Sequence, residues 1–376
     1  MNVLVMVSRD PQNPGFGGGE LVLFSWAEFL AQRGAEVHVL CAGFRGAPRE
    51  AMLNGVHVVR VGPESTLGFT AFVEYQRRFR ARIDLVLEDM LGGARLPFAA
   101  PLYVREPVVS VWFQDHLPLF QRQFPAVLLP ALAGLERLIV FVHRGTSILA
   151  PSEASRQSYV RKGGSADRVT VFHPGVPSEL LAGERALAAR DRQPRVLFLG
   201  KLRRYKCPDL AIRAFGLVAR DLPQSSMVVA GRPDEERFFE ELRELTHSLG
   251  LDTRVTFERG ISEARKLELL RTSRVLLSPA PVEGFGIAGL EASACGLPVV
   301  GTTGTPEEAL QEGVNGFRVP FGEVSAMAGR ARDLLRDDAL FDRVSGTAVR
   351  FAQAFTPSAA IQPLEELMHK LDRPKE

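Results

Sequence analysis

Glu283 and Glu291 stand with seven residues between them in the stretch EGFGIAGLE. Neither carboxylate is needed to build a core. Gly284 and Gly286 free the backbone to approach a ligand closely. A carboxylate accepts paired hydrogen bonds from vicinal hydroxyls, which ribose and hexoses both offer. With a helix starting near Gly286, Glu291 falls within its first two turns. The segment can therefore hold two ends of one polar ligand. The blander reading is a helix-start acid plus a surface acid, but apolar runs at 274–278 and 297–301 place the loop at the end of a sheet.

Two other loops carry related chemistry. GFGGGE, residues 15–20, follows a first apolar run and precedes an amphipathic one. Adjacent glycines there let backbone N–H groups meet an anion at a helix start. The dinucleotide fingerprint fails at this loop: Glu20 takes the place of its last glycine, and the second strand ends in Cys41-Ala42-Gly43 without a ribose-binding acid. A glycine turn without a ligand is the simpler alternative. GKLRRYK, residues 200–206, offers Lys201 and Lys206 to a phosphate, against the alternative of a solvated basic turn.

The elements that must position these loops are legible as alternation. Short apolar runs at 3–8, 37–42, 56–61, 83–87, 108–113 and 147–150 read as strands. A second series follows at 196–200, 227–231, 255–257, 275–278 and 298–301. Helical patterns lie between many of them, including 20–33, 71–81, 209–220, 235–249, 262–271 and 287–295, with two more at 325–354 and 358–371. Such alternation predicts parallel sheets with crossover helices, and its recurrence predicts two doubly wound α/β domains. The segment 175–194, proline-rich at its ends and alanine- and arginine-rich in its middle, is the expected boundary. Ligands of open parallel sheets bind at the carboxyl ends of strands, where these loops fall.

Bulk composition agrees with a two-domain globular protein of 376 residues, 45% hydrophobic and 24% charged. A net charge of +2 gives no argument for a nucleic-acid partner. Cys41, Cys207 and Cys295 lie too far apart for a disulfide framework or a metal cluster. The start of the chain lacks the pattern of a signal peptide, and the apolar stretch from Phe124 is broken by Glu136 and Arg137, short of the ~20 residues of a bilayer span. The expectation is cytoplasmic residence, with peripheral contact at the inner face of a membrane left open.

Taken in order, the loops resemble the retaining glycosyltransferases of family 4, which have the GT-B fold: α/β, with two Rossmann-like domains facing across a cleft. GGGE at 17–20 is similar to that family's first glycine loop. VLFLGKLRRYKCPDLAIRAF is similar to the opening of its donor domain, SPAPVEGFGIAGLEASACGLPVV to its most diagnostic segment, and GTPEE and NGFRVP fit as well. The resemblance covers almost the whole chain. It implies an acceptor domain over 1–175, a donor domain over 176–355, and a final helix in 356–376 packing back on the first domain.

The resemblance further implies a sugar moved from a UDP-, GDP-, ADP- or dTDP-sugar to an acceptor hydroxyl with retention, in the biosynthesis of glycans, glycolipids or glycosylated metabolites. Lys201 and Lys206 would contact the diphosphate, with Lys201 where the family usually has arginine. Glu283 would hold sugar hydroxyls, beside the backbone of Gly284, Phe285, Gly286 and Ile287. Glu291 would hold the ribose, and Gly18 and Gly19 the phosphates. No cofactor or metal is implied, since the sugar nucleotide is a co-substrate and the chain has no Asp-x-Asp. The family's His-Asp is replaced here by Gln114-Asp115-His116, so Asp115 and His116 are the catalytic candidates of the first domain. Two further departures, Arg232-Pro233 after Gly231 and Arg259 where glycine is common, fall near the expected base pocket. A GT-B epimerase, phosphorylase or hydrolase, or a catalytically silent sugar-nucleotide binder, is the alternative. Arg77, Arg78, Arg80 and Arg82 are read as a solvated helix face, with lipid contact as the sharper alternative.

Overall fold

The computed structural model describes residues 1–91, 97–181 and 186–371. Residues 92–96 of the expected acceptor domain, 182–185 of the expected boundary and 372–376 of the final segment lie outside the described residues. In chain order the first part runs β1 (Asn2–Met6), α1 (Gly18–Gln32), β2 (Glu36–Cys41), β3 (Glu50–Leu53), β4 (Val56–Arg60), α2 (Leu67–Glu74), β5 (Leu85–Asp89), β6 (Val108–Val111), α3 (Leu117–Gln123), α4 (Leu129–Val142), β7 (Ser147–Ala150), α5 (Glu153–Arg161) and β8 (Val169–Val171). The second part runs α6 (Ser178–Leu181), β9 (Arg195–Leu199), α7 (Pro208–Asp221), β10 (Ser226–Ala230), α8 (Glu236–Ser248), β11 (Val255–Glu258), α9 (Glu263–Thr272) and β12 (Val275–Ser278). It ends with α10 (Ile287–Ala294), β13 (Val299–Thr302), β14 (Gly316–Val319), α11 (Val324–Arg336), α12 (Asp338–Ala352) and α13 (Pro357–Leu371).

Strands covered on both faces must be apolar along most of their length, which is why they read as unbroken runs such as VLVM in β1 and VLFL in β9. Among the described residues they form two sheets. The first has the order β3-β4-β2-β1-β5-β6-β7-β8, parallel except for the β3–β4 pair. The second has the order β11-β10-β9-β12-β13-β14, parallel throughout. Numbered from its own first strand, the second is 3-2-1-4-5-6, the doubly wound order with its crevice between the first and fourth strands. The loops after β9 and β12 therefore flank that crevice, and the loops after β1 and β5 flank the equivalent point of the first sheet.

The chain divides into two compact units. The first comprises Met1–Asp115, Pro130–His173 and Ala360–Glu376; the second comprises His116–Leu129 and Pro174–Ala359. The segment 116–129, expected in the first domain, thus belongs to the second unit. There Arg122 donates Nε–H to the Arg204 carbonyl at 3.2 Å and brings its guanidinium to 3.8 Å from Asp209. In the first unit α13 contributes Glu365, which pairs with Arg33 of α1.

The boundary segment is less free than its composition suggested. Arg192 is buried and donates to the carbonyls of Leu187, Leu270, Ser273 and Cys295. Burial pushes its pKa down to about 10. The expected single helix over 325–354 is two, because the Asp337 carboxylate accepts from Leu340 N–H at 2.9 Å and starts a new helix. Cys41, Cys207 and Cys295 are buried and unbridged. Among the described residues no helix is long and apolar enough to cross a membrane.

Candidate functional site

In the second unit, β9 delivers the chain into the loop holding Lys201 and Lys206. A short turn, Arg204–Lys206, leads to Cys207 at φ 55°, a left-handed conformation costly for a non-glycine residue, and α7 starts at once with Pro208. The turn aims Lys206 across the crevice. Its Nζ lies 2.7 and 2.8 Å from the two carboxylate oxygens of Glu283, on the loop after β12. Burial works against the ammonium charge, but the Glu283 carboxylate outweighs it and holds Lys206 above the ordinary lysine value.

Glu283 is fixed by its own backbone, with N–H donating to the Gly304 carbonyl at 3.0 Å. Gly286 has φ 93°, which a side chain would resist, and caps α10 without a side-chain hydrogen bond. The N–H groups of Gly289 and Leu290 bond the Gly286 carbonyl at 2.9 and 3.1 Å, which leaves those of Ile287 and Ala288 for another acceptor. Phe285 points elsewhere: it is buried among Val176, Leu290, Ala309 and Phe355, its ring centroid 5.5 Å from that of Phe355. Its side chain anchors the loop.

Glu291 lies in α10 and is buried, with one oxygen 2.8 Å from Lys266 Nζ on α9. Burial raises its pKa and Lys266 opposes that rise. For Lys266, burial is outweighed by Glu291 and by Glu263, whose carboxylate lies 2.7 Å from Nζ, so the ammonium is held above its ordinary value. Lys266 sits 25 residues before Glu291 on a different helix and was not anticipated from the sequence.

The expected departures near the base pocket are tied into local structure. Gly231 is needed because a Cβ there would lie 1.8 Å from the Gly200 carbonyl oxygen. The Arg232 carbonyl accepts from Leu202 N–H at 2.9 Å, joining the loops after β9 and β10. Arg259 reaches Glu236 with two bonds of 2.9 and 2.8 Å and covers the Phe239 ring at 4.6 Å.

In the first unit, Gly18 and Gly19 open α1 after the extended Gly17. A Cβ on Gly19 would meet the Phe113 ring at 3.1 Å, so the glycine permits close packing of helix on strand end. Glu20, the residue that broke the dinucleotide fingerprint, is buried and bonds Arg9 at 2.8 Å; Arg9 in turn holds both oxygens of Glu64 at 2.6 Å. Asp10 and Arg60 form a buried two-bond pair at 2.9 Å. The Asp115 carboxylate lies 2.9 Å from Lys162 Nζ, which also bonds buried Glu136 at 2.6 Å. His116 immediately precedes α3, 6.0 Å from the Phe120 ring, and falls with the second unit. The two catalytic candidates, adjacent in sequence, therefore belong to different units. His143 is buried and paired with Glu88 at 2.8 Å.

Two doubly wound units, the second with opposite charges gathered at its switch point, define the molecule as a GT-B protein. Solved structures agree in fold. Anabaena HepE in complex with UDP and glucose matches with a TM-score of 0.76 at 22% identity, over 98% of this chain and 100% of that one. WaaG, a glycosyltransferase involved in lipopolysaccharide biosynthesis, matches with 0.75 at 18% over the whole of both chains. The sucrose-phosphate synthase of Thermosynechococcus elongatus matches with 0.77 at 19%, over 98% of each.

The chain belongs to the GT-B glycosyl transferases group 1: that family's model matches residues 184–350, and the Glycosyltransferase Family 4 model matches 16–180. The D-inositol 3-phosphate glycosyltransferase of Mycolicibacterium vanbaalenii is 31% identical over 215 residues, 52% of this chain and 46% of the relative. That of Mycobacterium tuberculosis (strain H37Ra) is 32% identical over 198 residues, 50% of this chain and 40% of the relative. The matches thus span less than half the length of these curated relatives.

Proposed function

We propose that the protein transfers a sugar from a nucleotide-sugar donor to an acceptor hydroxyl with retention of anomeric configuration. The observation that carries this reading is the Lys206–Glu283 pair, with contacts of 2.7 and 2.8 Å, at the switch point of a sheet in the group 1 family. A cation and a hydroxyl-binding carboxylate held this close fit a phosphate joined directly to a sugar. The UDP and UDP-glucose complexes of HepE make uridine donors the first to test.

In this reading Lys206 and Lys201 receive the diphosphate, together with the backbone N–H groups of Gly286 and Ile287 at the start of α10. Glu283 holds sugar hydroxyls beside the backbone of Gly284 and Phe285. Glu291, oriented by Lys266, holds the ribose. Gly18 and Gly19 offer the start of α1 to phosphate, and Asp115 and His116 serve the acceptor side. The bond from the anomeric carbon to the leaving phosphate breaks, and the acceptor oxygen bonds that carbon from the same face. The acceptor proton passes to the departing phosphate. The rate gain is electrostatic, from cations and backbone dipoles already in place where charge develops, and it needs no metal.

The test is incubation with UDP-, GDP-, ADP- and dTDP-sugars, with and without a panel of acceptors. Nucleotide release that requires an acceptor, with an unchanged anomer by NMR, supports the proposal. Release without acceptor indicates hydrolysis, and binding without turnover on any acceptor indicates a silent binder; either result overturns it.

A further inference from the structure

Helix α4 is apolar on nearly all sides. Its inward face places Ile139 and Val140 in the core of the first unit, and Glu136 is buried there against Lys162. Its outward face carries Ala131, Gly134, Leu135, Leu138 and Phe141, bordered by Arg137. Leu135, Leu138 and Phe141 are 42%, 57% and 61% exposed. Spacings of three and four residues put these side chains in one stripe. A helix this apolar is ordinarily covered, and an uncovered stripe marks an interaction surface.

The rim of the stripe is basic. Arg144, just past the helix, sets its guanidinium 5.1 Å over the Phe141 ring and donates Nε–H to the Gly163 carbonyl at 2.8 Å. Arg168 donates to the Gly145 carbonyl at 3.2 Å, and Arg161 at the end of α5 is exposed. Asp167, hydrogen-bonded to Ser165, is an exposed acid in the same region.

We propose that α4 docks the protein on an anionic bilayer surface, with Leu135, Leu138 and Phe141 entering the acyl boundary and Arg137, Arg144 and Arg168 meeting headgroup phosphates. An interfacial helix needs this combination of apolar stripe and basic flank. A second copy fits the stripe less well, because a two-fold contact sets identical arginine rims against each other. A 14-residue helix, ~21 Å long, also offers a narrow strip beside the ~800 Å² per partner of a standard interface. The arginine cluster at 77–82 is a poorer membrane face, since Arg78 is bonded to Glu50 and Glu74 and Arg80 to Gln76. Docking at α4 does not depend on the transfer chemistry, so either proposal can fail alone.

The test is co-sedimentation of the full chain, without sugar nucleotide, with vesicles of phosphatidylcholine alone or mixed with phosphatidylglycerol. Binding is expected to the mixed vesicles and to weaken with added salt. The Leu138→Asp/Phe141→Asp variant should lose at least about tenfold in vesicle affinity with an unchanged melting temperature. Arg137→Ala with Arg144→Ala should flatten the salt dependence, and Phe69→Asp on α2 should leave binding intact. Four results overturn the proposal: no parent binding to either vesicle, full binding by the aspartate variant, loss of binding in Phe69→Asp, or a parent dimer that the aspartate variant dissociates.

Discussion

The charged groups at the two switch points are arranged differently. In the second unit the crevice holds a one-to-one pair, Lys206 with Glu283. In the first unit Arg9, on the loop after β1, serves two carboxylates, Glu20 and Glu64, and Lys162 serves Asp115 and Glu136, while Arg60 pairs with Asp10. A cation shared by two acids is electrostatically satisfied and holds backbone segments together. A cation with one acid partner can share itself with an arriving anion at little cost. Arg9 is therefore committed to shape, whereas Lys206 keeps its charge exchangeable.

Substitutions can break or sharpen that contrast. The largest effect should come from Asp10→Ala, which strands Arg60 in the first unit; about 3–5 kcal/mol of stability should be lost in denaturant titration. The same pair predicts a pH dependence. Asp10 is buried, which favours its neutral form, but Arg60 more than offsets this and holds the carboxyl below its ordinary value of 3.8. Its contribution is thus present above that value and lost as pH falls through the lowered one. Melting curves of the parent and Asp10→Asn should converge on acidification, and a constant gap would show that Asp10 contributes through packing alone.

Next in size, Glu283→Ala should cut turnover by about 10²–10³-fold while changing donor affinity little. An unaltered rate would remove Glu283 from the site. Glu291→Ala should weaken nucleotide binding by about 10–100-fold, measured by calorimetry, with Lys266→Ala giving a smaller loss in the same direction. Lys206→Ala should lower affinity for nucleoside diphosphate but not for nucleoside; equal losses for both would contradict a phosphate contact. At the small end, Arg78→Ala breaks only exposed or surface-linked pairs and should shift stability by no more than about 1 kcal/mol.

Legibility in the sequence followed the same contrast. The strands flanking both switch points were readable, because buried parallel strands must be continuous apolar runs. β3, β8 and β14 were not, since EAML, VTV and GFRV are short and interrupted by polar residues. The loops of the second unit stood out because glycine, lysine and glutamate coincide within a few residues. Their supports did not: Lys266 and Lys162 reach their carboxylates from other helices, and nothing local encodes which helix faces meet. The same limit hid the placement of 116–129, whose partners Arg204 and Asp209 lie more than eighty residues downstream.

From Ala360 onward the chain returns to the first unit, where Arg33 meets Glu365 across 332 positions. During synthesis, then, the first unit receives α13 only after the second unit has been made. Its sheet can form early, yet the surface that receives α13 must wait through translation of the entire second unit. Loop closure over such a separation is slow relative to local pairing. A nascent chain halted before residue 360 would leave the bed of α13 on the first unit uncovered.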